Sequence, residues 1–539
     1  MTTQSEQKKT DSVFSRYKKT IIAVGLLIIL SVLALVVIRY LEPMAEKQLL
    51  AMVNSEFAPN AEIEIAEFSL GLIPPRITIE GIKLVHAEPF GEQTPEKPLD
   101  NIRHLEISRA ELSGIDLFRL VRGKEWGLGT FTIEQFDIEL VPASEGRLTD
   151  SAPLEQPLAV TVSQINISDA TFRLYPDRKS DTFRYSADGI NLEIDNFSIT
   201  DPNQPIHTYF EDFKFSVNSA KHIFDNGHYH LRADDFLANS RDKIISLNYF
   251  EALPQYSSYE MAEEAGKQLD TYTVKGGPFS LQEVQIKQWF ETEDILIGFA
   301  EFHDLDLLID RERSFDREPR DERTLLHHRL INFPFRIHAD SLKWHNSKVS
   351  YTERFTDQDR SGTILFNSID LFIDNLQNSS PENAIHAFAS ARFMDAADLE
   401  INFEFNLDDL ATHTIRGTLS EMDLNDVNDP LENLAGIRIR DGFVNSLDFT
   451  FTADDYRSDG ELQMIYNDLS LRLLDDETFA ENRGTRFRSF FVNAFAVRSS
   501  NETSSPRMGT IDFEREKERS TFNYWWKSIR SGLEDTVRR

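Results

Sequence analysis

The sequence predicts a mainly β protein: an elongated antiparallel sheet built from repeated units, with few short helices and one N-terminal transmembrane helix. Three observations carry this expectation. Apolar residues alternate two apart along most of the 539-residue chain, the period of strands with one buried face. A block at 103–200 recurs at 272–378, and repeated β units extend one another's sheet. One charge-free run, "IIAVGLLIILSVLALVVI" (Ile21–Ile38), is long enough to span a bilayer as a helix.

Taken in order, residues 1–19 hold Lys8, Lys9, Arg16, Lys18 and Lys19 against Glu6 and Asp11. The positive-inside rule then places 1–19 in the cytoplasm, an anchor at 20–39, and the bulk of the chain across the membrane. A cleaved signal peptide is the rival reading. It is disfavoured because the apolar run is long and no small-x-small site precedes Arg39. Residues 40–102 read as a first helix and strand pair. Leu41, Met44, Leu49, Leu50 and Val53 recur at helical spacing, then Ile63 and Ile65, Ile77 and Ile79 alternate around Pro74-Pro75.

The first repeat unit (103–200) alternates through Phe131 and Ile133, then Phe136, Ile138 and Leu140, then Val160 and Val162, then Phe172 and Leu174. It ends in "GINLEIDNF", with Ile190, Leu192 and Ile194. A connecting β region (201–271) leads to the second unit (272–378), which ends in "SIDLFIDNL", with Ile369, Leu371 and Ile373. Between the units the matching positions lie 169, then 177, then 179 residues apart. Asp195-Asn196 and Asp374-Asn375 read as turn chemistry closing each strand. A further β region (379–476) alternates through Ile401, Phe403 and Phe405, and through Leu447, Phe449 and Phe451. Residues 477–539 read as amphipathic helices: Arg486–Val497, and a last one with Phe522, Trp525, Trp526, Ile529, Leu533 and Val537 on one face. Gly114–Gly123 and Ser257–Leu269 are the other helical candidates.

Chemistry is sparse. The net charge of 57 − 90 = −33 argues against a nucleic-acid partner. The absence of cysteine excludes disulfides and thiolate sites. There is no G-x-S-x-G, H-E-x-x-H, P-loop or G-x-G-x-x-G. His228 and His230 share a strand face without further ligands, His327-His328 sit in a charged loop, and Asp454–Gly460 lacks the ligand set of a calcium loop. The expectation is a protein that is no enzyme and holds no cofactor or metal. Two apolar features remain open in meaning. The alternating face either packs on a second sheet or curls around a ligand. The Trp-rich C-terminal helix either meets a membrane interface or a partner groove, or caps the end of the sheet.

Three stretches carry a resemblance: "AEIEIAEFSLGLIPPRITIEGIKLV" after the anchor, Ile107–Val141, and Gly417–Leu474. They are similar to the AsmA-like proteins of the bacterial cell envelope. The resemblance implies an inner-membrane anchor with the bulk of the chain in the periplasm. It implies a curled, repeating β-groove like that of bridge-like lipid-transfer proteins, along which phospholipid or another acyl-chain lipid moves towards the outer membrane. The groove candidates are then Ile190, Leu192, Ile194, Ile369, Leu371, Ile373, Phe403, Phe405, Phe449 and Phe451. Phe522, Trp525, Trp526 and Ile529 are candidates for a membrane interface or a cap. A periplasmic or outer-membrane protein partner is implied as well. The alternative is a structural tether or assembly factor for outer-membrane proteins, with a closed β core.

Overall fold

The computed structural model describes residues 42–51, 54, 61–72, 74–87, 89–90, 98–115, 125–142, 159–199, 204–224, 227–316, 322–379, 384–474 and 497–538. The expected anchor and N-terminus (1–39), most of Gly114–Gly123, and all of Arg486–Val497 but its last residue lie outside these. Among the described residues no helix is long and apolar enough to cross a membrane. The chain divides into two compact units, 1–215 and 216–539.

In the first unit, β1 (Ala61–Glu64) and β2 (Glu67–Leu72) both pair antiparallel with β3 (Pro75–His86). β4 (Ile102–Ser113) and β5 (Glu125–Leu140) follow antiparallel. β6 (Ala159–Leu174) then lies parallel to β5, and β7 (Tyr185–Ile199) antiparallel to β6. The sheet is therefore mixed, which corrects the antiparallel expectation. The connection 141–158 supplies the dozen or more residues that a parallel return needs. A helical segment, α1 (42–51), covers the free edge of β1 and β2. Glu42 accepts the Leu70 N–H at 3.0 Å, and Asn54 bonds both main-chain groups of Ile63 at 2.6 and 3.3 Å. An edge so covered cannot template another strand.

β8 (Asp212–Ile223) carries the chain into the second unit. There β9 (Tyr229–Asn239) pairs with β10 (Ile244–Leu247) and β11 (Tyr249–Pro254). α2 (Ser258–Ala265) begins on a capping box of Ser257 and Glu260 and ends on left-handed Gly266. β12 (Asp270–Gly276) joins β11, and β13 (Phe279–Gln282) joins β10. After α3 (Ile286–Thr292) come β14 (Ile295–His303) and β15 (Asp306–Glu312). α4 (Leu326–Ile331) precedes β16 (Ile337–Phe355), which runs parallel to both β14 and β15. An antiparallel series follows: β17 (Arg360–Gln377), β18 (Ile385–Phe393), β19 (Ala397–Phe405), β20 (His413–Leu419), β21 (Met422–Asp423), β22 (Ile437–Ala453), β23 (Arg457–Leu473) and β24 (Met508–Glu514). α5 (Thr521–Val537) closes the chain.

The two blocks share pairing as well as pattern. Ile133 lies beside Ile167, which faces Leu192; Phe302 lies beside Trp344, which faces Leu371. They also share left-handed residues: Gln135 and Asp304 (φ 51° and 52°), Asp169 and Asn346 (54° and 50°), Gly189 and Ser368 (64° and 48°), Asn196 and Asn375 (52° and 51°). The register shifts at β6–β7 and β16–β17 fall around the middle two of these pairs. Such bulges let a strand skip one residue and keep its apolar side on one face. Each is stabilised alike: Asn191 accepts the Asp169 N–H and Asp370 accepts the Asn346 N–H, both at 3.1 Å. Asn196 and Asn375 sit inside their strands, which continue to Ile199 and Gln377. The Asp-Asn pairs thus turn the strand locally and do not end it. Asn346→Val forces a β-branched residue into the left-handed region, at a cost of about 1–3 kcal/mol. Urea unfolding is expected to show that loss, with Asn346→Gly close to the unmodified chain.

Candidate functional site: a continuous apolar sheet face

The alternation converts directly into a face, because register decides which side chains are neighbours. In the first unit Phe68 and Leu70 of β2 stand opposite Ile79 and Ile77 of β3. The same face continues through Ala110 and Leu112, Phe131 and Ile133, Ile165 and Ile167, and Ile194 and Leu192 of β7. Glu111, Thr132, Asn166 and Glu193 form the corresponding rank on the other side.

In the second unit the face starts at Phe279 and Leu281 of β13. It passes through Phe302 and Ala300, Trp344 and Leu342, Leu371 and Ile373, and Ala389 and Ala387. It then passes through Ile401 and Phe403, Gly417 and Ile415, Phe449 and Phe451, and Leu462 and Gly460, to Gly509 and Ile511 of β24. Ring centroids of Phe279 and Phe302 lie 4.5 Å apart, and those of Phe302 and Trp344 6.1 Å apart.

Towards one end of β15 and β16 this face becomes charged, and there every charge is paired. Arg311 binds Asp270 at 2.6 and 2.9 Å, and Glu353 binds Arg313 at 2.5 Å and the Tyr351 hydroxyl at 2.6 Å. Burial pushes the Tyr351 hydroxyl up, and the neighbouring Glu353 carboxylate adds to this. Burial also works against the Arg311 charge, but the bond to Asp270 outweighs it and the pKa rises. Burial opposes the Glu353 charge too, but Arg313 holds its carboxylate low.

The sequence-derived candidates divide into two groups. Ile190, Leu192, Ile194, Ile369, Leu371 and Ile373 are half-buried on the face, as are Phe403 and Phe405. Phe449 and Phe451 are only 6% and 2% exposed and lie in a filled core. α5 provides that cover. Phe403 and Phe405 meet Trp525 at 5.5 and 6.2 Å between ring centroids, and Ile529 and Leu533 pack on the same core.

α5 buries most of the face its apolar pattern predicts, since Trp525, Ile529, Leu533 and Val537 pack on the core, but not all of it. Phe522 and Trp526 are 65% and 48% exposed, whereas Tyr524, Ser528, Gly532 and Thr536 are buried. Gly532 lies so close to β23 and β24 that an added Cβ would stand 2.8 Å from Ile511 and 2.9 Å from Leu462. The helix also caps the edge of β24: Asp535 accepts the Thr510 N–H at 2.9 Å and Ser531 the Asp512 N–H at 3.2 Å. A row of small residues four apart was the signal in the sequence, but a search for apolar residues passes over it.

Sequence reasoning also missed a buried histidine pair. His327 on α4 and His413 on β20 both bond the Ala411 carbonyl, at 2.7 and 2.9 Å, and Trp525 donates its indole N–H to His413 Nε2 at 2.9 Å. Burial holds both imidazoles low, His413 at about 4. The two rings pack edge to face, 4.9 Å between centroids, and held low they stay neutral near pH 7. Fold and faces thus define a mainly β chain with a partly uncovered apolar sheet face in each unit. No protein-family model matches the chain, and no curated protein is significantly similar to it.

Proposed function

We propose that the chain carries or bridges phospholipid, or another acyl-chain lipid, along this apolar face. In this reading it is a periplasmic protein held by an inner-membrane anchor at 20–39 and acts towards the outer membrane, as the AsmA-like proteins it resembles do. The curl of the sheet into a groove belongs to the same proposal. The observation that carries it is the apolar face itself, in register from β2 to β7 and again from β13 to β18, before α5 covers it, with its large side chains half-buried. Acyl chains gain about 0.8 kcal/mol per buried CH₂ on such a surface while the headgroup stays in water. The filled core around Phe449 and Phe451 excludes β22 and β23 from the lipid path. That stretch suits the second reading, a tether or assembly factor with a closed core.

The test is lipid content. The full chain, purified in nanodiscs and re-extracted, is expected to retain phospholipid detectable by mass spectrometry. Leu192→Asp combined with Leu371→Asp places an unpaired carboxylate in the path in each unit. Such a group costs at least 1.4 kcal/mol to bury, hence about a tenfold drop in occupancy. Unchanged occupancy in a double variant with unaltered circular dichroism would sink the lipid reading. Loss of an outer-membrane protein from a pull-down, with lipid transfer intact, would establish the tether.

A further inference from the structure

The opposite side of the same sheet in the second unit has a feature that lipid carriage does not use. Across β17–β20 the outward-facing side chains form two ranks. One runs Phe372, Phe388, Asn402, Arg416; the other runs Asp374, His386, Glu404, Thr414. Together they line a depression of about 360 Å³, within the size range of small-ligand sites.

Three observations set this depression apart. Phe372 and Phe388 are 39% and 38% exposed and stand side by side on a face whose other side chains across β17–β20 are polar. In the first repeat the position matching Phe372 is Glu193, also exposed, which is what a water-facing strand position calls for. Secondly, neither ring stacks on another described aromatic, so the exposed part of each ring is not taken up by an aromatic neighbour. Thirdly, the side chains of Asp374, His386, Asn402, Glu404 and Arg416 make no hydrogen bond or ion pair with any described residue. Neighbouring charges behave differently: Arg392 pairs with Asp398 at 2.8 Å, Arg438 with Glu432 at 2.6 Å and Arg457 with Asp512 at 3.2 Å.

We propose that this depression is a saccharide-binding site. A pyranose ring presents C–H groups on one face and hydroxyls, each both donor and acceptor, around its rim. Phe372 and Phe388 offer the apolar platform for the C–H face. Asp374 and Glu404 accept from hydroxyls, Arg416 donates, and Asn402 and His386 do both. An acyl chain would leave these five polar groups unused. A cationic peptide would use the carboxylates but face the Arg416 guanidinium. The mixture of donors, acceptors and aromatic platform fits a neutral polyhydroxylated ring. The inference rests on the outer face alone and stands or falls independently of lipid carriage.

The experiment uses the full chain in phospholipid nanodiscs, free of glycosidic detergent. Chitotriose, cellotriose and maltotriose serve as probes, read by saturation-transfer NMR and titration calorimetry. At least one trisaccharide is expected to receive saturation on its ring protons. Phe388→Thr, a strand-compatible change on the exposed side, is expected to weaken that binding at least tenfold, and Glu404→Gln or Arg416→Gln severalfold. Circular dichroism and unfolding of each variant should match the parent. Absence of saturation transfer to all three sugars overturns the proposal. So does sugar binding that Phe388→Thr leaves unchanged in a folded chain. Binding of a hexa-arginine peptide that depends on Glu404, with no sugar bound, overturns it in favour of a peptide site.

Discussion

Gly509→Val is expected to destabilise the second unit by about 3 kcal/mol or more and to lift α5 from the sheet. A Cβ at Gly509 would fall on the Gly532 carbonyl oxygen and the Thr536 hydroxyl. Both belong to the helix and neither can turn away, because Thr536 is itself bonded to Gly532 at 2.9 Å. Overpacking of this kind costs about 1–3 kcal/mol where neighbours can adjust. Here adjustment means moving the helix. That would break the bonds from Thr510 to Asp535 and from Asp512 to Ser531, each worth about 1 kcal/mol. It would also expose Tyr524 and Val537, and leave β24 as an open edge prone to pairing with a second chain. Urea unfolding and sedimentation would read both effects. Phe522→Ala, on the exposed side of the same helix, should stay within about 0.5 kcal/mol of the parent. If Gly509→Val is equally mild, α5 is not a cap.

Alternation was legible because a half-buried strand writes its buried side chains at every second position. It also held information that a plain period-two reading passes over. Phe131 and Ile133 change phase to Phe136, Ile138 and Leu140, and the skipped position, Gln135, is the left-handed one. The same skip occurs at Asp304, between Phe302 and Leu307, and at Asn346, between Trp344 and Val349. A break in phase beside Asp, Asn or Gly thus marks a bulge inside β5 and β16, and at Asp304 the short break between β14 and β15. Strand direction was not legible. Ile165 and Ile167 alternate identically whether β6 runs with or against β5, so the parallel pairs of a mixed sheet leave no mark in the pattern.

Of the candidate site, the face was legible and its cover was not. Ile190, Leu192 and Ile194 and Phe449 and Phe451 follow one rule in sequence. What separates half-buried from buried is the cover supplied by α5 together with Leu325, Met422 and Val444, and α5 docks through Ser528, Gly532 and Thr536. Those residues matter for their small size, which admits close approach, and hydropathy does not measure that. The outward Phe372 could have been found from the repeat itself, since an aromatic stands where the partner block has glutamate. His413 carried no signal in sequence, because its role depends on Trp525, 112 residues away.

That contact makes the second unit acid-sensitive in a way that can be assigned to one residue. The Trp525 N–H can only donate, so His413 Nε2 must be the acceptor and Nδ1 must carry the proton that Ala411 receives. A proton on Nε2 breaks the Trp525 bond and places a charge in a site with no exposure to water. Burial is the main reason that the imidazole is held at about 4; nearby His327 and Arg515 push the same way, while the Ala411 bond and Asp454 oppose. The unfolded chain protonates this residue near the ordinary 6.5 and the folded chain only near 4. Its contribution to stability is therefore complete above about pH 7 and is lost as the pH falls from there towards 4. At 1.36 kcal/mol per pH unit the loss is roughly 3 kcal/mol. His327, also held low by burial, adds to it in the same direction. Urea unfolding at pH 7 and at pH 4.5 is expected to show a smaller difference in His413→Gln, which keeps an acceptor for Trp525 but has no proton to take up. Carboxylates elsewhere titrate in both chains and cancel in that comparison. An equal acid loss in parent and variant would mean that His413 is not the group that titrates.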